Sequence, residues 1–343
     1  MLQNGIIKYD PNTKWNSPLV IVRKTNGGIR LVNNFINLNK KTINDQYMMN
    51  NANGLLSRIA GAAYVTKLDM NKFFFQIPLS QERQTFTGFQ TPFGTFSYMT
   101  MPMGLKCASA TGQRLMDIFL RGAYRYTASL IDDVIVFSND FDSHLCYVRD
   151  VLERLRKAGL TVNNNKCHFA SNNIQILGHK LQDGLVYPCD EKTAVIKSWP
   201  TPKTKKQLKS FLGLTNYFRD FISHYATLAF PLTELLARHK PDKLAWVEPQ
   251  QSAFDELRTA LICKPVLRPP NPDKQYVMMT DSSSVSLSAI LMQREGGTDS
   301  GNYVIGYASR KLLPRERKYP VIEQDLMAIV FGLNGCMAKR SKF

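Results

Sequence analysis

The sequence predicts an α+β protein built from more than one folding unit, and three observations predict it. Short apolar runs rich in Val, Ile and Phe recur through the first half, bounded by turn residues. Stretches at 108–122 and 142–158 carry apolar residues at roughly helical spacing. Past residue 187 the texture changes twice: a proline-bounded, lysine-rich stretch comes first, and a proline cluster follows it.

Taken in order, residues 18–35 read as a hairpin, Pro18-Leu19-Val20-Ile21-Val22 and Ile29-Arg30-Leu31-Val32 around a Gly-rich turn. Tyr64-Val65-Thr66-Lys67-Leu68 is a further strand ending at Asp69. The 108–122 helix carries Ala110, Leu115, Met116 and Phe119, and the amphipathic 142–158 helix is closed by Gly159. Trp199-Pro200-Thr201-Pro202 is a stiff breaker, which places a boundary near 190 and a small helical region at 191–262. Pro265, Pro269, Pro270 and Pro272 mark a second linker before an α/β segment that runs over 263–343.

One dipeptide stands out chemically. Asp132-Asp133 lies between two strand-like runs, so the pair belongs at the tip of a hairpin, where a two-residue turn normally wants glycine. Like charges so close resist joint ionisation, and a divalent cation would relieve the repulsion. A solvated polar turn fits this segment alone equally well.

Composition narrows the partner. With 44% hydrophobic and 21% charged residues the chain is ordinary for a soluble protein, but its formal charge of +17 is not. Such an excess favours nucleic acid, and no basic amphipathic anchor points to a membrane. Six scattered cysteines show neither zinc spacing nor a disulfide framework. No leader-like amino terminus or membrane-length apolar run is evident, so the expectation is an intracellular protein, nucleus or cytoplasm undecided. Oligomeric state is not set by the sequence.

Lys67-Leu68-Asp69-Met70-Asn71-Lys72-Phe73-Phe74, Met101-Pro102-Met103-Gly104-Leu105-Lys106 and Leu130-Ile131-Asp132-Asp133 occur in the order in which the reverse transcriptases of gypsy-type long-terminal-repeat retrotransposons carry their motifs. The chain resembles that family over nearly its whole length. The resemblance implies a right-hand polymerase with fingers and palm over 1–190 and a helical thumb or connection over 191–262. A truncated, incomplete ribonuclease-H-like α/β segment would follow over 263–343. It implies an RNA-directed DNA polymerase acting on a primed RNA or DNA template with deoxynucleoside triphosphates. By itself Asp69 reads as a strand-end cap; by the resemblance it joins Asp132 and Asp133 as ligands of two Mg²⁺ ions, with Mn²⁺ as a possible substitute. Lys166 falls where a lysine protonates the leaving pyrophosphate. Arg30, with Lys24 or Arg23, would grip the triphosphate, and Met103 and Gly104 would sit against the nucleotide. Phe74, five residues past Asp69, would clash with a ribose 2′-hydroxyl, although it also reads as core. Leu177-Gly178-His179 matches the primer-grip hairpin, and Lys203, Lys205, Lys206 and Lys209 would lie along the duplex backbone.

The chain also departs from the family. Leu130 stands where a primer-contacting tyrosine is usual. Phe73 replaces a glycine, which should crowd the floor of the nucleotide site. Gly112 replaces a helix phenylalanine, which should cost helix propensity and core volume. In the third segment Asp281 matches the first ribonuclease H ligand, and Asp325 falls where glutamate is usual, with Glu323 two residues earlier. The later ligands would lie beyond Phe343, so the expectations are no ribonuclease H activity and a piece of a polyprotein or a decayed copy of one. An inactive remnant that only binds nucleic acid is the alternative.

Overall fold

The computed structural model describes residues 1–23, 27–263, 265–271, 273–294 and 301–340. Two compact units share the chain, Met1–Asn51 with Tyr64–Ala170, and Ala52–Ala63 with Ser171–Phe343.

In the first unit β1 (Ile7–Tyr9) leads to a hairpin of β2 (Leu19–Arg23) and β3 (Ile29–Asn33). Alternation of branched side chains makes this pair, whose register sets Val22 opposite Arg30 and Arg23 opposite Ile29. Helix α1 (Ile36–Lys41) follows. The central sheet is built from β4 (Tyr64–Asp69), later β7 (Thr127–Leu130) and β8 (Asp133–Ser138), and β9 (His168–Ser171). Its strand order is β7-β8-β4-β9, so β8 lies between β7 and β4 with antiparallel neighbours on both sides. A smaller sheet in the order β1-β6-β5 uses β5 (Phe89–Thr91) and β6 (Gly94–Tyr98).

Helices α4 (Ala108–Phe119) and α5 (Phe141–Lys157) share a core with the central sheet. Leu68 of β4 and Val134 and Val136 of β8 pack in one cluster with Met116, Val151 and Leu155. These strand positions fall on one face by the period of two, and each fully buried aliphatic contributes roughly 1.5–3 kcal/mol. Asp140 caps α5 by accepting a hydrogen bond from the Ser143 N–H at 2.8 Å. Gly159, at φ +71°, ends that helix as its sequence position predicts.

The second unit begins with α2 (Ala52–Ile59), remote in sequence from the rest. An antiparallel meander follows: β10 (Asn173–Ile176), β11 (His179–Gln182) and β12 (Leu185–Pro188). Then come α6 (Asp190–Lys197) and α7 (Lys205–Tyr217), the latter opened by a reciprocal capping box between Thr204 and Gln207. A longer helix at Glu248–Ile262 precedes three antiparallel strands at Tyr276–Ser282, Ser286–Arg294 and Asn302–Lys311, and a helix at Val321–Arg340. Among the described residues no helix is long and apolar enough to cross a membrane.

Candidate active site

The acidic residues converge at one end of the β4–β8 pair. Asp69 and Asp133 are direct cross-strand partners, so their side chains leave the sheet on the same face. Asp132 lies in the turn before β8. The turn differs from the Asp-Asp tip expected of the sequence: Leu130 pairs with Asp133, so Ile131 and Asp132 form the two-residue loop. Ile131 has φ +57°, the left-handed region that a two-residue hairpin needs and a β-branched side chain resists.

A buried glutamine holds this conformation. Gln113 of α4 is 0% exposed. Its Oε1 accepts the Ile131 N–H at 2.9 Å, while Nε2 donates to Ser129 Oγ at 3.1 Å and to Asp117 Oδ1 at 2.9 Å. Tyr47 donates to the other oxygen of Asp117 at 2.6 Å. The strand ends are pinned as well, with the Met70 N–H donating to Asp132 O at 3.3 Å and the Asn163 N–H to Asp69 O at 2.7 Å.

Two lysines answer the negative charge. Lys67 Nζ lies 3.2 Å from Asp133, and Lys166 Nζ lies 3.6 Å from Asp69. Among the described residues Asp132 has no such partner. Partial burial of its carboxyl pushes its pKa above the usual 3.8, and the charges of Asp133 and Asp69 add to this, against its own backbone N–H and Lys67. Among the described residues no three acidic, His or Cys side chains gather tightly enough to hold a metal by themselves. An oxygen-only, partly open set of this kind fits Mg²⁺, which keeps water and substrate-phosphate ligands and needs only one or two carboxylates.

The first unit also holds several of the other expected residues, of which Phe73 and Phe74 reach the turn through Gly112. Phe74 is half-buried in the turn that follows β4, and Phe73 beside it is 2% exposed. The expectations for Phe73 and Gly112 need correcting together. A Cβ at Gly112 would lie 2.8 Å from Phe73 Cε1, so the ring occupies the volume that the glycine leaves, inside the core. Gly104 has φ +95°, and its carbonyl accepts from Asn39 Nδ2 at 2.8 Å, a backbone arrangement that favours glycine. Met103 beside it is half-buried, while Arg23 and Arg30 are exposed on the hairpin. Lys24 lies outside the described residues.

In the second unit Leu177 and Gly178, at φ +50° and +72°, turn β10 into β11. His179 is buried among Tyr217, Phe218 and Phe221; its Nδ1 lies 3.0 Å from Leu177 O, and burial lowers its pKa. The Tyr217 hydroxyl donates to the same carbonyl. Lys203, Lys206 and Lys209 are exposed. Lys205 is turned elsewhere, donating to Ala237 O at 2.7 Å and Lys240 O at 2.6 Å. Of the ribonuclease-H-like residues, Asp281 faces His224 at 3.7 Å, Asp325 accepts from Ser282, and Glu323 is exposed.

Two participants were missed in the sequence. Lys67 had a usable signal, since it precedes Asp69 by two on one strand and shares its face. Gln113 had none, because its role depends on an N–H eighteen residues away.

A hairpin turn of carboxylates on an antiparallel sheet backed by two helices, followed by a helical region and an α/β segment, defines a right-hand polymerase fold with a ribonuclease-H-like extension. Comparison with known proteins makes this specific. The model of "Reverse transcriptase (RNA-dependent DNA polymerase)" matches residues 22–181, and that of "RNase H-like domain found in reverse transcriptase" matches 246–338. The Pol polyprotein of Drosophila melanogaster transposon 297 is 35% identical over 341 residues, covering 97% of this chain and 31% of its own length. That of transposon opus is 36% identical, covering 98% and 35%. The Schizosaccharomyces pombe Tf2-3 polyprotein is 30% identical, covering 97% and 25%. A foamy viral protease–reverse transcriptase in complex with double-stranded DNA superposes with a TM-score of 0.89 at 20% identity, over 98% of this chain and 58% of that one. One in complex with an RNA/DNA hybrid gives 0.85 at 20%, over 98% and 45%. This chain thus carries a reverse transcriptase domain over residues 22–181 and an RNase H-like domain of reverse transcriptases over 246–338, is similar to retrotransposon Pol polyproteins, and spans 31% and 35% of the first two relatives.

Proposed function

We propose that this chain is an RNA-directed DNA polymerase, joining a primer 3′-hydroxyl to an incoming deoxynucleoside triphosphate in line. The observation that carries this reading is the placement of Asp69 opposite Asp133 with Asp132 in the adjoining turn. Two Mg²⁺ ions, or Mn²⁺ in their place, would be held by these three carboxylates and would supply charge neutralisation and a more acidic primer hydroxyl.

The remaining work falls to side chains. Arg30 and Arg23, exposed at the surface, take triphosphate oxygens in a fork, with Lys24 as a further contact. Gly104 and Met103 line the nucleotide, and the Phe74 ring stands against the sugar, rejecting a 2′-hydroxyl by contact. Lys166, already beside Asp69, is the group that can hand a proton to the leaving pyrophosphate. Leu177 to His179, braced by Tyr217, hold the primer end, and Leu130 supplies only an apolar contact beside the turn. Lys203, Lys206 and Lys209 track the template–primer backbone, a sequence-independent and salt-sensitive role. The structural neighbours in complex with double-stranded DNA and with RNA/DNA hybrid support this choice of partner.

A second reading, a catalytically inactive remnant that only binds nucleic acid, is favoured by the lysines that occupy Asp133 and Asp69. Primer extension on an RNA template separates the two. The polymerase reading expects Mg²⁺-dependent incorporation that Asp132→Asn abolishes. Duplex binding without incorporation in either form supports the remnant instead.

A further inference from the structure

One glycine couples the two strands that carry the acids. The point where a Cβ of Gly112 would sit is 2.8 Å from Phe73 Cε1, 3.5 Å from Phe74 Cε1 and 3.6 Å from Ile131 Cγ2. All three side chains therefore lean on bare helix backbone at this position. Phe73 leaves β4 four residues after Asp69, through Lys72 at φ +49°, and Ile131 immediately precedes Asp132. Phe73 is 2% exposed and the neighbouring Gln113 0%, so neither has room to move aside. The backbone of Ile131 is tied to the same helix through Gln113 Oε1 at 2.9 Å.

We propose that Phe73 and Gly112 are a mutually dependent positioning pair: the ring seated over the glycine, in the same cluster as Ile131, fixes the left-handed turn and with it the separation of the Asp69 and Asp132 carboxylates. Neither residue touches substrate; they act through Ile131. Any side chain at 112 displaces the Phe73 ring, while loss of the ring leaves a cavity into which Ile131 can relax. Left-handed backbone at a branched residue persists only where its surroundings over-determine it, so the turn is sensitive to either change. The reading of the acids as cation ligands is taken over from the proposed function.

The test is a volume swap read by Mn²⁺ binding, using the free-ion electron paramagnetic resonance signal, and by thermal unfolding of the full chain. Gly112→Ala and Phe73→Gly should each weaken Mn²⁺ binding about tenfold, equivalent to about 1.4 kcal/mol. Phe73→Gly combined with Gly112→Phe should return binding to within about threefold of wild type and recover most of the melting temperature. Leu155→Ala, in the same core but on α5, should lower the melting temperature and leave Mn²⁺ binding within about twofold. A swap that is worse than both single variants, or a folded Gly112→Ala that binds Mn²⁺ like wild type, overturns the proposal. Wild type that binds no Mn²⁺ overturns the cation-ligand reading, and the claim that the pair serves a metal falls with it. In that event the melting temperature of the swap still decides the packing: recovery supports the pairing, and additive loss refutes it.

Discussion

Replacing Gln113 by leucine keeps most of the side-chain volume and removes the side-chain hydrogen bonds through which α4 holds the acidic turn. The Ile131 N–H loses its acceptor, and Asp117 loses one of its donors while keeping Tyr47. Leaving a buried N–H unpaired costs about 1–3 kcal/mol, and a lost hydrogen bond to a charged group adds about 1.5–3 kcal/mol before any relaxation. Together these come to roughly 3–5 kcal/mol, a large share of the stability of a single unit. Urea unfolding followed by fluorescence measures it, with the midpoint and the slope compared to wild type. Gln113→Glu refines the argument: it keeps the acceptor for Ile131 but sets a carboxylate beside Asp117. Its deficit should shrink as pH falls and one of the pair takes a proton. A folded Gln113→Leu protein within about 0.5 kcal/mol of wild type would refute the claim that this side chain holds the turn.

Other substitutions separate roles that resemble one another on paper. Asp132→Asn should raise the melting temperature at neutral pH in metal-free buffer while removing activity. The folded pKa of Asp132 lies above its unfolded value of 3.8, so the folded state binds the proton more tightly and stability falls as pH rises through that window; the advantage of the variant should vanish below it. Lys206→Ala and Lys209→Ala should each reduce the slope of log affinity against log salt by about 1 and leave stability unchanged, read by fluorescence anisotropy with labelled duplex. Lys205→Ala should do the reverse, lowering the melting temperature with little change in slope, because its ammonium is spent on Ala237 and Lys240 carbonyls. Phe74→Val should raise incorporation of ribonucleotides relative to deoxynucleotides at least about tenfold in competition assays, a modest steric discrimination of 1–3 kcal/mol.

What could be read from the chain alone follows from how local each feature is. The β4 and β8 strands and the helices behind them were legible because alternation and helical spacing are properties of consecutive residues. The position of the turn was not. Placing it at Ile131-Asp132 requires knowing that Gln113 reaches the Ile131 N–H, and no spacing rule encodes that contact. Phe73 and Gly112 each read as a defect when taken singly, and only their meeting in space makes them one packing solution. The lysines at 203–209 look alike in sequence, yet Lys205 differs from Lys206 because its side chain finds two carbonyls more than thirty residues away. Likewise Ala52–Ala63 packs as part of the second unit, a long-range choice that composition does not signal.

Single-nucleotide incorporation by rapid quench, on a DNA primer annealed to an RNA template, tests the central claim most directly. Wild-type protein should add one deoxynucleotide in a Mg²⁺-dependent step, and Asp69→Asn or Asp132→Asn should slow it by at least about a thousandfold with duplex affinity retained. A folded, duplex-binding wild type that adds nothing at any Mg²⁺ or Mn²⁺ concentration, or an Asp132→Asn variant that extends as fast as wild type, would contradict it.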